Sequence, residues 1–399
     1  MSSSRGWLAM LGATLACLGP PRVAHALQAH MGDMPMRDWD RRGPSPAICR
    51  LLSGEPVVVP ASAEQAAFGL APPPLLRVVD ARGRHELVIE VGPVDVPAHA
   101  MADRSRDLVH QLAYFPLDAW VHGFRLELTD GRGRTVPRRV LHHIDTMRPS
   151  ARDLFLPVAQ RFVALGAETA PERLPSWLVG VPIHAGEPVI VSSMLHNPTD
   201  TSYRGVRLRL ILAYTPARPL YEVAGFRLDV MFPTGPMEYD LPPGRSVRWW
   251  EGSPQVPARI IAMTGHLHQF AEWIALEDRT TGELLWRAEP RVNSAAEVTG
   301  MPVWFPRLGL GHRVLPTHRY RVTASYWNPT GHLIREGAMA KVAGIFTPSR
   351  PLPPVDVHDP LYQEDLRYVL GSGCGASGQP HLVARVPQTP DPGLGAGAH

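Results

Sequence analysis

Apolar residues along the chain come in short runs that alternate with polar ones, and almost no stretch sustains a helical period. The runs "LLRVVDA", "HELVIEV", "WVHGFRLELTD", "RRVLHHIDTM", "PVIVSSMLHN", "GVRLRLILAY", "GFRLDVMF", "RIIAMTGHLHQFAEWIALED", "ELLWRAE", "RYRVTASYWN" and "AKVAGIF" each read as a strand. Between them fall turn signals drawn from 43 prolines and 35 glycines. Many short strands at this spacing predict an all-β fold of two tandem antiparallel, jelly-roll-like β-sandwiches. The stretch "PARPLYE" separates two sets of strands, so the sandwiches are expected at 73–215 and 216–348. An irregular segment, 27–72, precedes them and a Pro/Gly-rich tail, 349–399, follows.

Composition narrows the classes. With 399 residues, 44% hydrophobic and 19% charged, the chain is long enough for two or three domains and reads as folded. A formal charge of only +3, with Lys and Arg dispersed, indicates neither nucleic acid nor a membrane surface. Arg5, the apolar run "GWLAMLGATLACLG" and the small-residue site Ala24-His25-Ala26 fit a secretory signal peptide over 1–26. That run is too short to span a membrane. Cys17 follows Thr14-Leu15-Ala16, a poor lipoprotein box, which favours a secreted or periplasmic product over a lipid anchor. Cys49 and Cys374 remain, to be paired or free.

Histidine, with 18 copies, and methionine, with 13, are the side chains suited to copper in its two oxidation states. His266 and His268 stand two apart in what reads as one long strand, so their rings leave the same face roughly 6.6 Å apart along the chain. His142 and His143 are adjacent, and neighbours in a regular strand point to opposite faces. Both reach one metal only where the strand ends or bulges. His196 lies where a strand runs into an Asn-Pro turn, and Met339 sits in "REGAMAKVAGIF". Taken singly, each of these is an ordinary structural residue; a lone Met is a core filler. Met194 and Met147 read as packing beside the first set, and His30, Met31, Met34 and Met36 as a mobile N-terminus or a copper-loading arm.

The ordered set, a His pair and a third His and then an HxH and a late Met, resembles the copper type II, ascorbate-dependent monooxygenases, the family of the peptidylglycine α-hydroxylating and dopamine β-hydroxylating enzymes. The resemblance runs from about 120 to 347 and includes "LELTDGRGRTVPRRVLHH", "MEYDLPPGRSVRWWEGSPQVPARIIAMTGHLH" and "YWNPTG". It implies two coppers per chain: one, for electron transfer, on His142, His143 and His196, and one, which meets dioxygen, on His266, His268 and Met339. It also implies an external reductant such as ascorbate and a small-molecule or peptide-like substrate entering between the sandwiches. The departures are informative. The disulfide cysteines of the animal enzymes are absent, so core packing must hold the sandwiches. Where the amidating enzyme anchors a peptide carboxylate with an arginine and a tyrosine, this chain has Thr264 and Ala343. A non-enzymatic exported copper-binding or electron-transfer protein is the alternative reading, and a zinc hydrolase a third, although a zinc site has little use for Met339.

Overall fold

The computed structural model describes residues 76–100, 111–231, 238–306 and 311–370. Strands β1 (Leu76–Ala81), β2 (Glu86–Val96), β3 (Gln111–Tyr114), β4 (Ala119–Thr129), β5 (Leu141–Arg152), β6 (Ala159–Gly166), β7 (Glu172–Arg173), β8 (Val179–Ile183), β9 (Pro188–Leu195), β10 (Tyr203–Thr215) and β11 (Tyr221–Glu222) come first. Then follow β12 (Ala224–Asp229), β13 (Tyr239–Leu241), β14 (Gly244–Gly252), β15 (Ala258–Leu267), β16 (Ala271–Asp278), β17 (Glu283–Ala288), β18 (Arg291–Val292), β19 (Val298–Gly300), β20 (His312–Val314), β21 (Tyr320–Asn328), β22 (Ile334–Ala338) and β23 (Ala340–Pro348). One helix, α1 (Pro360–Leu370), ends the described chain.

The fold is all-β. The first eleven strands form a seven-stranded sheet, ordered β1-β2-β10-β4-β8-β11 with β7 on β4, and a four-stranded sheet, β3-β9-β5-β6. The later strands form two four-stranded sheets, β12-β23-β15-β20 and β14-β21-β16-β17, and the ribbons β13-β22 and β18-β19. Pairing is antiparallel except where β11 joins β8. The chain therefore passes from one set of sheets to the other between Glu222 and Ala224.

Alternation along the strands decides which face is dry. In β10, Val206, Leu208, Leu210 and Leu212 are buried, while Arg209 between them turns outward to Glu90 at 2.6 Å. In β21, Tyr320, Val322, Ala324 and Tyr326 are fully buried on one face. Burying a side chain such as these Leu and Val residues contributes about 1.5–3 kcal/mol, so each core is held by repetition of this pattern. Among the described residues no helix is long and apolar enough to cross a membrane.

The two cores are joined by the β5–β6 loop. Leu154, Phe155, Leu156 and Val158 belong by sequence to the first sandwich but pack in the core of the second. Phe155 lies 5.9 Å from Phe226 and 6.0 Å from Tyr320, ring centre to ring centre, and Gln255 N–H donates to Leu154 O at 2.8 Å. The segment after β23 returns to the first sandwich, where Tyr362 packs with Met147, Ala159 and Ile190. On α1, buried Asp365 accepts from Arg161 of β6 at 3.0 Å and from Arg227 of β12 at 2.6 Å. One carboxylate thus ties a strand of each sandwich.

Candidate functional site

The first histidine set rests on a bulge. In the β5–β9 ladder Leu141 faces Leu195 and His143 faces Met194, so His142 is the extra residue on its strand. A bulge re-aims side chains that a regular pleat would send to opposite faces, and the His142 and His143 ring centres stand 5.2 Å apart. His196 is the first residue past β9. Its N–H donates to Val140 O at 3.0 Å, and the next residue, fully buried Asn197, donates to Pro97 O and Thr201 O at 2.8 Å each. This pinned turn brings the His196 ring to 5.4 Å from His142. Burial pushes the His196 imidazole below its ordinary range, keeping it in the neutral form a metal needs.

The second set differs from the sequence expectation in one respect. "RIIAMTGHLHQFAEWIALED" is not one strand: β15 stops at Leu267, and the chain turns through His268-Gln269-Phe270 into β16, which belongs to the other sheet. Phe270 makes the turn in the left-handed region, φ 69°, a conformation a bulky residue adopts only when its surroundings enforce it. Its N–H donates to Ala296 O at 3.2 Å and its carbonyl accepts from Trp327 N–H at 2.9 Å. His268 therefore stands just past a strand end, yet the His266 and His268 rings still meet at 5.4 Å, nearly perpendicular at 86°.

Met339 comes to the same place through register. His266 faces Lys341 and Leu267 faces Ala340 in the β15–β23 ladder. One step further puts His268 opposite Met339. Leu267 and Ala340 turn into the core, so His266 and Lys341 share the other face of the ladder, with His268 and buried Met339 just beyond its end. The Tyr326 hydroxyl locks this end: it accepts from His268 N–H at 2.9 Å and donates to Met339 O. Burial, reinforced by the neighbouring His266, pushes the His268 imidazole down to about 3.

The two sets meet at one seam. Gly166 on β6 pairs with His143, and two residues later Glu168 hydrogen-bonds Nδ1 of His266 on the second sandwich at 3.1 Å. Burial works to raise the Glu168 carboxyl, but the hydrogen bond and charge of His266 outweigh it and hold the group at about 2. Asp145, 3.5 Å from His143, also reaches Lys341 electrostatically. The Lys341 ammonium is 3.8 Å from buried Asp229, and burial lowers its proton affinity against the pull of that carboxylate.

Two imidazoles bound to one ion at the ~2 Å of a metal–imidazole bond have ring centres roughly 4.5–5.5 Å apart for ligand angles from a right angle to about 120°. The separations of 5.2, 5.4 and 5.4 Å fall in that span. Among the described residues no group of three or more His, Cys, Asp or Glu forms a ready-made metal cage. The first three rings are neighbours rather than a closed site, and the second set draws on a thioether.

Glu168, Asp145, Lys341, Asp229 and Tyr326 were not identified as site residues from the sequence. Glu168, Lys341, Asp229 and Tyr326 owe their places to contacts between segments distant in the chain, whereas Asp145, two residues after His143 on β5, follows from period-two alternation along one strand. Thr264 faces Ala343 two residues before His266 and donates to Pro302 O at 3.2 Å. Met194 lies opposite His143 and is buried. Met147 does not pack beside the histidines: the strand carries it on to Ile190 and Tyr362. Other histidines have local partners, His122 with Leu174 O at 3.0 Å, His318 with Asp278 at 2.6 Å, and His312 stacked on Trp304 at 4.5 Å. The signal segment, His30, Met31, Met34, Met36, Cys49 and Cys374 lie outside the described residues.

No protein-family model and no curated protein matches the chain. Among solved structures it is similar to the major capsid protein P2 from bacteriophage PM2, at 8% identity over 65% of this chain and 98% of that one, TM-score 0.32. It is also similar to PNGase F, a glycosylasparaginase from Flavobacterium meningosepticum, at 8% identity over 67% of this chain and 97% of that one, TM-score 0.33. Likeness at these scores carries no argument about function.

Proposed function

We propose that the protein is a secreted or periplasmic copper-dependent monooxygenase that hydroxylates a C–H bond, with dioxygen and an external reductant such as ascorbate as co-substrates. The observation that supports this reading is that two groups of candidate donors of different chemistry, on different sandwiches, are linked by Glu168, which stands two residues past the partner of His143 and hydrogen-bonds His266. His142, His143 and His196 offer three imidazoles; His266, His268 and Met339 offer two imidazoles and a thioether. When bound, copper would supply one-electron transfer at the first set and dioxygen activation at the second, where the soft thioether favours Cu(I).

The chain's own residues do the rest. Burial keeps His196 and His268 neutral, so their lone pairs are available without deprotonation. Tyr326 fixes the backbones of His268 and Met339 against each other. Across the seam, Glu168 holds His266. Overall, one oxygen atom enters the substrate C–H bond and the other leaves as water, with two electrons and two protons supplied from outside. Thr264 and Ala343 offer no anchor for a peptide carboxylate, so the substrate is a small molecule or peptide-like compound lacking a glycine-extended terminus. The same two residues favour a second reading, an exported copper-binding or electron-transfer protein without turnover.

The test is oxygen consumption by the copper-loaded chain against a panel of C–H substrates. The monooxygenase reading requires uptake that depends on both ascorbate and substrate, with one labelled oxygen atom from O2 in the product. Copper that loads and reduces without substrate-dependent uptake selects the second reading, and a chain that takes up no copper removes both.

A further inference from the structure

Glu168 belongs to the first sandwich, and the ring it touches belongs to the second. We propose that Glu168 is a positioning residue for the second histidine set: from across the seam it holds His266 as the Nδ1–H tautomer, so that Nε2 is the atom offered to a metal. The inference rests on the copper reading and deepens it, because it makes one sandwich prepare a ligand carried by the other.

Three observations carry it. The contact is direct, Nδ1 to Oε1 at 3.1 Å, between side chains only 38% and 22% exposed. An ionised carboxylate only accepts hydrogen bonds, so the neutral ring must donate from Nδ1 and keep its lone pair on Nε2. A partner that fixes a ligating histidine in this way orients the ring and raises its basicity.

The second observation is the local backbone. A Cβ placed on Gly166 would lie 2.2 Å from Glu168 Oε2 and 2.7 Å from Oε1. Only a bare residue at 166 lets the carboxylate fold back over the end of β6 toward His266. Thirdly, the turn is pinned on the side of the first set. Gly166 N–H donates to Thr169 Oγ1 at 3.0 Å, Thr169 N–H donates to Gly166 O at 3.2 Å, and Arg138, in the short 3-10 turn before His142, donates to Thr169 O. Glu168 thus stands on a turn fixed to the strand that carries His143 and reaches the strand that carries His266.

The test compares the full chain with Glu168→Ala, Glu168→Gln and Gly166→Ala. The three atoms nearest a Cβ at Gly166 all belong to the carboxylate end of Glu168, so Gly166→Ala displaces the carboxylate first. In the metal-free protein, long-range proton–nitrogen NMR of labelled histidines, well above the ordinary imidazole pKa, reads the His266 tautomer. Competition with a Cu(I) chelator then reads affinity at each set. The wild type should carry the His266 proton on Nδ1. Glu168→Ala and Gly166→Ala should mix the tautomers and weaken Cu(I) at one set about 10- to 100-fold, with the other unchanged, and Glu168→Gln, still an acceptor, should restore most of the loss. A wild-type proton on Nε2, a tautomer indifferent to Glu168→Ala, or a changed tautomer with unchanged Cu(I) affinity would each overturn the proposal. If the wild type binds no copper but its tautomer responds as stated, the copper reading fails while the assignment of Glu168 as the residue that orients His266 stands.

Discussion

An imidazole binds a metal only through a lone pair, so what its surroundings do to its proton decides whether it can serve as a ligand. His268 shows the effect most strongly: burial, with His266 beside it, pushes its pKa to about 3, against about 6.5 in an unfolded chain. Between these values the unfolded state binds the proton that the folded state refuses. The metal-free protein should therefore lose stability as pH falls from about 6.5 toward 3. Urea midpoints at several pH values in that window, for the wild type and His268→Asn, measure this; the variant should show the shallower decline, and parallel curves would contradict the assignment. At this scale the sequence was informative about identity. His142 and His143 can share a face only at a strand end or bulge, and the ladder does shift register there. Glu168 was not legible, because it and His266 are 98 positions apart and nothing local in either segment calls for the other.

At the scale of elements, the site depends on the turn that ends β15. An apolar run without Pro or a turn dipeptide reads as one continuous strand. Phe270 breaks it in a left-handed conformation that Phe does not favour intrinsically, so tertiary contacts with Ala296 and Trp327 override the local pattern. Tyr326, fully buried on β21, closes the arrangement by bridging His268 N–H and Met339 O. Tyr326→Phe removes that hydroxyl from both partners without changing the ring. It should lower unfolding stability by about 1–3 kcal/mol and weaken Cu(I) binding at the second set, as read by urea unfolding and chelator competition. A variant as stable as the wild type with undiminished Cu(I) affinity would show that the bridge holds nothing in place.

On the scale of the molecule, alternation and turn spacing were enough to anticipate an all-β chain, because a sheet that buries one face must show period two. They could not show which core an apolar segment joins. "DLFLPVA" is hydrophobic wherever it goes, and only the three-dimensional arrangement sends Leu154, Phe155, Leu156 and Val158 into the far sandwich. That plug makes the two sandwiches depend on each other. Phe155→Ala should cost about 3–5 kcal/mol and shift the unfolding of both halves together, followed by tryptophan fluorescence and far-ultraviolet circular dichroism. Two separated transitions, with only the second half weakened, would show that the sandwiches are energetically independent. The metal chemistry has its own global readout, the amount of Cu(I) bound per chain after anaerobic loading and removal of excess. The expected result is two for the wild type and one for His142→Ala; in Met339→Ala the three-histidine set should stay loaded and only the second copper should be lost to a competing chelator. A wild type that retains no more than one copper, or a Met339→Ala chain that holds two as tightly as the wild type, would contradict the assignment of two distinct copper centres.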